Sequence, residues 1–235
     1  MTNSNNELLD ELIVAAEELV STGLVTGAGG NISVSDGTWM WISPSGFSLS
    51  DAGPEHYPRI SVETGEIDEG DYRPSSEVLM HLWTYRVRPE LRAIVHAHPK
   101  MTNALSSAGQ DLKPIFPDYY VYLGKNVPHL PYVTVTTPEL AEVVRDAFEA
   151  PNCYGMVLRN HGTITVGTSV KEALFRTLAM EEQAFIQYHA QTVGTPNFLS
   201  EAECLELDGL GSEEYRRKLL ADMKATGGAT ASGAS

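Results

Sequence analysis

The stretch Pro74–Pro99, PSSEVLMHLWTYRVRPELRAIVHAHP, decides how the rest of the chain is read. Between Pro89 and Pro99, LRAIVHAH has the apolar, β-branched character of a short buried strand, in which side chains alternate faces with a period of two. His96 and His98 therefore point the same way, about 7 Å apart along the strand. Two imidazoles so placed are able to converge on one divalent ion, for which neutral imidazole is a well-suited ligand. A third ligand has to come from elsewhere. The candidate is His161 in GMVLRNHGTITVG, where apolar pieces 156–158 and 163–166 read as strands broken at Asn160-His161-Gly162. Gly162 permits either a close backbone approach or a positive φ at that break. Three histidines leave a coordination position open, as catalytic zinc sites do and structural ones do not.

Glu77 opens the same stretch. Pro74-Ser75-Ser76 marks a helix start, and Val78, Leu79, Leu82, Trp83 and Val87 follow a spacing of three and four, so the sequence places Glu77 in the first helical turn. There the helix dipole favours the ionised carboxylate. Beside a cation it is suited to act as a releasable ligand or as a general acid and base. Each feature also has a plain structural reading. An H-x-H pair is equally two satisfied polar residues, a glutamate near a helix start is a dipole complement, and His81, four residues on, reads as a hydrogen-bonding residue of the helix face.

Upstream, GAGGNISVSDGTWMWISPSG reads as a hairpin closed by Asp36-Gly37. Its flanks, Gly29-Gly30-Asn31 and Ser43-Pro44-Ser45-Gly46, present backbone N–H groups of the kind that form an anion nest, and Ser75 and Ser76 are a further donor set. Taken alone, each is ordinary turn chemistry.

In their order along residues 8 to 190, GAGGNISV, ISPSG, PSSE, VHAH and RNHG resemble the class II aldolase/adducin family, whose catalytic members include L-fuculose-1-phosphate aldolases. The resemblance implies an α/β (in a stricter scheme α+β) fold with a central, largely antiparallel sheet flanked by helices. It implies a zinc ion, with manganese or cobalt as alternatives, held by Glu77, His96, His98 and His161. It implies a substrate phosphate held by Gly30, Asn31, Ser45, Gly46, Ser75 and Ser76, with no lysine or arginine in the set. Glu77 would carry a proton to and from carbon, and Tyr132 in PYVTV would protonate the aldehyde half from a neighbouring subunit of a homotetramer, with Tyr119 and Tyr120 as competitors. The reaction implied is reversible cleavage of a phosphorylated ketose to dihydroxyacetone phosphate and an aldehyde. Decarboxylases, epimerases and dehydratases of phosphorylated sugars or sugar acids share the scaffold, though the epimerases typically carry aspartate at the position of Glu77. An adducin-like binding module is the non-enzymatic alternative.

Composition is consistent with an ordinary globular protein: 235 residues, 42% hydrophobic and 8% aromatic. A formal net charge of −15 argues against a nucleic-acid partner. No apolar run reaches membrane-spanning length, and the start MTNSNNELLDEL lacks signal-peptide character, so the cytoplasm is the expected location. Cys153 and Cys204, with no C-x-x-C, indicate neither a disulfide framework nor a thiolate metal site.

Residues 7–22 read as an amphipathic helix ended by Gly23, 59–67 as a hairpin, 100–109 and 138–150 as helices, and 169–190 as the longest helix, buried on two sides. The tyrosines of KPIFPDYYVYLG read as packing residues. One domain is expected over 1–225, with a flexible tail at 226–235.

Overall fold

A computed structural model describes residues 3–211 and Tyr215; the tail expected at 226–235 lies outside them. The frame is one eight-stranded sheet of β1 (Asn31–Ser35), β2 (Trp39–Ile42), β3 (Arg59–Ser61), β4 (Ile67–Glu69), β5 (Ala93–Ala97), β6 (His129–Leu130), β7 (Gly155–Leu158) and β8 (Gly162–Gly167). Their order is β4-β3-β2-β1-β5-β8-β7-β6. Every pairing is antiparallel except β6 with β7, so the mixed, largely antiparallel sheet expected from the sequence is present.

The helices are α1 (Asn3–Ser21), α2 (Val78–Val87), α3 (Lys100–Ser107), α4 (Pro117–Leu123), α5 (Pro138–Phe148), α6 (Val170–Val193) and α7 (Glu201–Asp208). On one face of the sheet, Ile32, Val34, Trp41 and Val95 pack against Leu9, Leu12, Ala16 and Leu19 of α1 and Ala173 and Leu174 of α6. On the other, Met40, Ile42, Ile94, Ile164 and Val166 pack against Met80 and Tyr85 of α2 and Leu140, Val144 and Phe148 of α5. Strand alternation divides the two sets, since Ile94 and Val95 are neighbours in sequence and fall in different cores. His96 shares the parity of Ile94 and so emerges on the side that α2 covers.

The β1–β2 hairpin turns as the sequence reads: the Asp36 carboxylate accepts from the backbone N–H groups of Thr38 and Trp39, both at 2.8 Å, and Gly37 takes φ +99°. Helix α5 is capped by the Thr137 hydroxyl, which accepts from Leu140 N. Three differences from the sequence reading stand out. Helix α4 forms within the proline- and tyrosine-rich segment, started by Pro117 at its first turn. Helix α2 begins one residue later than expected, so Glu77 precedes it with φ −101° and ψ 18°, and its side chain makes no capping bond. Finally, α2 buries His81, Thr84 and Tyr85 together with Met80 and Leu82, while Val78, Leu79 and Trp83 are only partly buried. The helix is wedged between sheet and α5; His81 and Tyr85 face polar partners on β1, and the Thr84 hydroxyl donates back to the Met80 carbonyl.

Candidate metal centre and active site

The ends of β1, β5 and β8 and the start of α2 meet at one place. Because Asn31 pairs with His96 across β1 and β5, and Ala97 pairs with Thr163 across β5 and β8, the H-x-H segment is brought beside both the glycine loop before β1 and the hairpin that carries His161. The nitrogens available from His96, His98 and His161 lie within 4.8 Å of one another. His96 Nε2 and His98 Nε2 are 3.0 Å apart. The Glu77 carboxylate joins the cluster, Oε2 at 3.2 Å from His96 Nε2 and Oε1 at 3.4 Å from His161 Nε2.

Backbone groups aim these side chains. His96 is fully buried, and its Nδ1 donates to the carbonyl of Thr163 at 2.9 Å, which leaves Nε2 with its lone pair toward His98. The Asn103 amide donates to the His161 carbonyl at 3.0 Å and ties the hairpin tip to α3. At that tip Asn160, not Gly162, takes the left-handed conformation, with φ +59°. Gly162 serves the close approach instead: a Cβ there would lie 2.3 Å from the Ala97 carbonyl oxygen and 2.8 Å from His98 Cδ2. Gly30 meets both demands, with φ +65° and only 2.8 Å between a Cβ and the His96 carbonyl oxygen.

The donor set fits a divalent cation of the zinc type. Two ring nitrogens 3.0 Å apart require a proton or a cation between them, and tetrahedral coordination at ordinary Zn–N lengths separates ligand nitrogens by about 3.3 Å. Glu77 Oε1 is buried with no hydrogen-bond partner among the described residues, a costly state for a carboxylate oxygen that a cation would relieve. Burial lowers His98 and His161 to about 4, so both are neutral and able to ligate at neutral pH. Burial pushes the Glu77 carboxyl up, but its contacts with the His96 and His161 rings and the hydrogen bond from Asn31 outweigh it and hold the group well below the usual range.

The residues expected to hold a phosphate sit at the same end of the sheet. Ile32 and Ser43 exchange bonds across β1 and β2, which sets Ser45 and Gly46 just beyond Gly30 and Asn31. Ser45 N donates to the Arg73 carbonyl at 2.8 Å, and a bridge between Pro44 and Pro74 brings Ser75 and Ser76 alongside. Ser45, Gly46 and Ser76 are exposed, whereas Ser75 is buried and its hydroxyl accepts from Glu77 N at 3.3 Å. The Asn31 side chain is turned away from this rim and is buried, with Nδ2 donating to Glu77 Oε2 at 3.0 Å.

Tyr132 is 56% exposed on the loop between β6 and α5. In that loop, Thr136 and Thr137 line a small recess with Ser76 and Glu77, and Thr136 holds φ +65°, a strained conformation for a β-branched residue. The other tyrosines are committed elsewhere: Tyr119 lies in the core with Leu105, Leu123 and Met180, and the Tyr120 hydroxyl donates to Asp208 at 2.9 Å. Burial and that bond push Tyr120 up to about 12.

Two groups that hold the site had no assigned role in the sequence reading, the Thr163 carbonyl and the Asn103 amide, and His81, read as a hydrogen-bonding residue of the helix face, finds its partner in Asn31, Nε2 to Oδ1 at 2.6 Å. A backbone carbonyl has no residue signature. For His81 the available signal was its i,i+4 position relative to Glu77.

Three histidines whose nitrogens could hold a metal ion, with a carboxylate against them at one end of a largely antiparallel sheet, make a candidate metal site of an enzyme. The chain belongs to the class II aldolase and adducin N-terminal domain family, whose model matches residues 10–188. It is 34% identical over 197 residues, 83% of this chain and 90% of the relative, to a 5-deoxy-D-ribulose 1-phosphate aldolase of Bacillus thuringiensis. An L-fuculose phosphate aldolase of Methanococcus maripaludis is 33% identical over 180 residues, 77% of this chain and 96% of that one. A 3-oxo-tetronate 4-phosphate decarboxylase of Escherichia coli is 31% identical over 184 residues, 75% of this chain and 84% of that one. Among solved structures, an L-fuculose 1-phosphate aldolase superposes with a TM-score of 0.79 at 30% identity, covering 89% of this chain and 96% of that one. No described helix is long and apolar enough to cross a membrane.

Proposed function

We propose that the protein is a metal-dependent sugar-phosphate aldolase, reversibly cleaving a ketose 1-phosphate such as L-fuculose 1-phosphate or a 5-deoxypentulose 1-phosphate to dihydroxyacetone phosphate and an aldehyde. The observation that carries this reading is the Glu77 carboxylate lying within 3.4 Å of two histidine ring nitrogens with one oxygen otherwise unpartnered. Glu77, His96, His98 and His161 would hold zinc, or manganese or cobalt in its place. When bound, the ion supplies Lewis-acid polarisation of the ketose carbonyl and compensates the negative charge that develops on its oxygens.

Glu77 is ionised at neutral pH and so is ready to act as a base. In the direction of synthesis it takes a proton from C3 of dihydroxyacetone phosphate, the new C3–C4 bond forms on the aldehyde carbon, and Tyr132 gives a proton to the aldehyde oxygen. Cleavage reverses each transfer. The backbone of Gly30, Asn31 and Gly46 and the hydroxyls of Ser45, Ser75 and Ser76 hold the phosphate by dipoles, compatible with a net charge of −15. The exposure of Tyr132 suits a residue that completes the site of a neighbouring subunit, in a cytoplasmic homotetramer.

The test is release of dihydroxyacetone phosphate from a panel of ketose 1-phosphates by the metal-loaded protein. Glu77→Gln is expected to reduce kcat by about 10²- to 10⁴-fold, the usual worth of a general acid or base. A variant as active as the wild type would remove Glu77 from the mechanism. The similarity to a 3-oxo-tetronate 4-phosphate decarboxylase supports a second reading, decarboxylation of a phosphorylated 3-oxo acid. Carbon dioxide release without any aldol cleavage would establish it in place of the first.

A further inference from the structure

Behind Glu77 runs a buried chain of hydrogen bonds that leaves the metal centre and ends inside the α2 face of the sheet. Asn31 Nδ2 lies 3.0 Å from Glu77 Oε2, Asn31 Oδ1 lies 2.6 Å from His81 Nε2, and His81 Nδ1 lies 2.7 Å from Ser33 Oγ. Tyr85 closes it, its hydroxyl 2.9 Å from Ser33 Oγ and 3.1 Å from the Ser33 carbonyl oxygen. Asn31, Ser33, His81 and Tyr85 are all buried.

Between Ser33 and Glu77 the partners of each polar group set the direction of every bond. The Asn31 amide nitrogen donates to Glu77 Oε2, which turns its oxygen to His81. That oxygen only accepts, so His81 Nε2 must carry a proton. Burial keeps the ring neutral, lowering it to about 3, so Nδ1 is a bare lone pair that accepts from the Ser33 hydroxyl. Every donor between Ser33 and Glu77 therefore points toward Oε2. The opposite oxygen, Oε1, lies 3.4 Å from His161 Nε2 and has no hydrogen-bond partner among the described residues.

We propose that Asn31 and His81 are positioning residues for Glu77: their hydrogen-bonded chain holds Oε2 in place and leaves Oε1 as the oxygen that takes and returns the substrate proton. This rests on the reading of Glu77 as the proton carrier. It gives the Asn31 carboxamide to the carboxylate and leaves only the Asn31 backbone for a phosphate.

Two measurements test it. The first is nitrogen NMR of the metal-free full chain labelled at its seven histidines, with the His81 signals identified by their loss in His81→Gln. The expected tautomer is Nε2–H with Nδ1 bare; an Nδ1–H tautomer overturns the inference alone, whatever the activity. The second is exchange of the C3 proton of dihydroxyacetone phosphate with D2O by metal-reconstituted wild type, Asn31→Ala, His81→Leu and His81→Gln. Asn31→Ala and His81→Leu are expected to lose about 10- to 100-fold in kcat at little-changed KM, the scale seen when partners that orient a ligand are removed. His81→Gln, which restores a donor toward Asn31, is expected to recover most of the rate. A raised KM at unchanged kcat in Asn31→Ala would overturn the inference by assigning the carboxamide to the phosphate. Absence of exchange in the wild type would remove the proton-carrier reading and this inference with it.

Discussion

The Nδ1 of His96 donates to the backbone carbonyl of Thr163 at 2.9 Å, and this one bond fixes which nitrogen of the central imidazole faces the site. A carbonyl oxygen cannot donate, so Nδ1 is protonated and Nε2 is the atom turned to the site, 3.0 Å from His98 Nε2 and 3.2 Å from Glu77 Oε2. His96 sits between the other donors, which makes it the least replaceable of the set. His96→Ala is expected to bind zinc more than about 10²-fold more weakly than wild type, beyond the loss typical of partners that only orient a ligand. Competition with a chromophoric chelator measures this, and an unchanged affinity would show that the three-histidine site is not where metal binds.

Gly162 is placed where no side chain fits. A Cβ would lie 2.3 Å from the Ala97 carbonyl oxygen, and that oxygen belongs to strand backbone that cannot swing aside. Gly162→Ala should therefore push β8 away from the H-x-H segment, with an overpacking cost of about 1–3 kcal/mol. For a chain of this length that is a fall in Tm of roughly 2–4 °C per kcal/mol, together with weakened metal binding as His98 and His161 separate. A variant melting like the wild type would mean that the approach is relaxed in solution.

The site was legible in the sequence wherever chemistry is written in residue type and strict periodicity. Period-two alternation in LRAIVHAH put His96 and His98 on one face, and Asp36-Gly37 announced the hairpin that carries the glycine and serine loops. Position relative to a helix end was less legible. Glu77 reads as a first-turn residue because Ser75 and Ser76 resemble a cap, yet Ser75 spends its hydroxyl on Glu77 N and the helix starts at Val78. The polar interior of α2 was hidden for another reason: His81 reads as a hydrogen-bonding residue of the helix face, but its partners, and those of Tyr85, are Asn31 and Ser33 of β1, which no local pattern places opposite them. Helix α4 was missed because its prolines and aromatics are weak helix signals that only packing under α6 overrides.

Arg88 ties α2 to the turn after α5. Its guanidinium pairs with Glu90 and donates to the carbonyls of Phe148, Ala150 and Cys153 at 3.3, 3.2 and 3.3 Å, in a largely buried setting. Arg88→Met keeps the stem and leaves these carbonyls short of a donor, and a buried polar group so stranded costs about 1–3 kcal/mol. Urea unfolding should show a loss of at least that size while metal affinity, set at the other end of the sheet, is little changed. Equal loss of both would mean that Arg88 holds the metal centre as well as the scaffold.

Acid should destabilise the metal-free protein well before ordinary carboxylates titrate. Burial lowers His81 to about 3 and His98 and His161 to about 4, whereas in the unfolded chain each returns to about 6.5. Between those values the unfolded chain binds protons that the folded one does not, so stability rises with pH across the window. It is fully present above about 6.5 and is lost as pH falls toward 4; Glu77, held below its ordinary value, adds a further loss below about 4.5. Metal bound to the folded chain does not touch that uptake, which belongs to the unfolded chain; it adds a nearly constant increment of stability between pH 7.5 and 5.0, where His98 and His161 are already neutral in the folded state. Urea midpoints at pH 7.5, 6.0 and 5.0, with and without zinc, measure both effects. A metal-free midpoint that stays flat from 7.5 to 5.0 would mean that these histidines are not buried as neutral rings, and midpoints that zinc leaves unchanged at every pH would mean that the folded chain does not bind it.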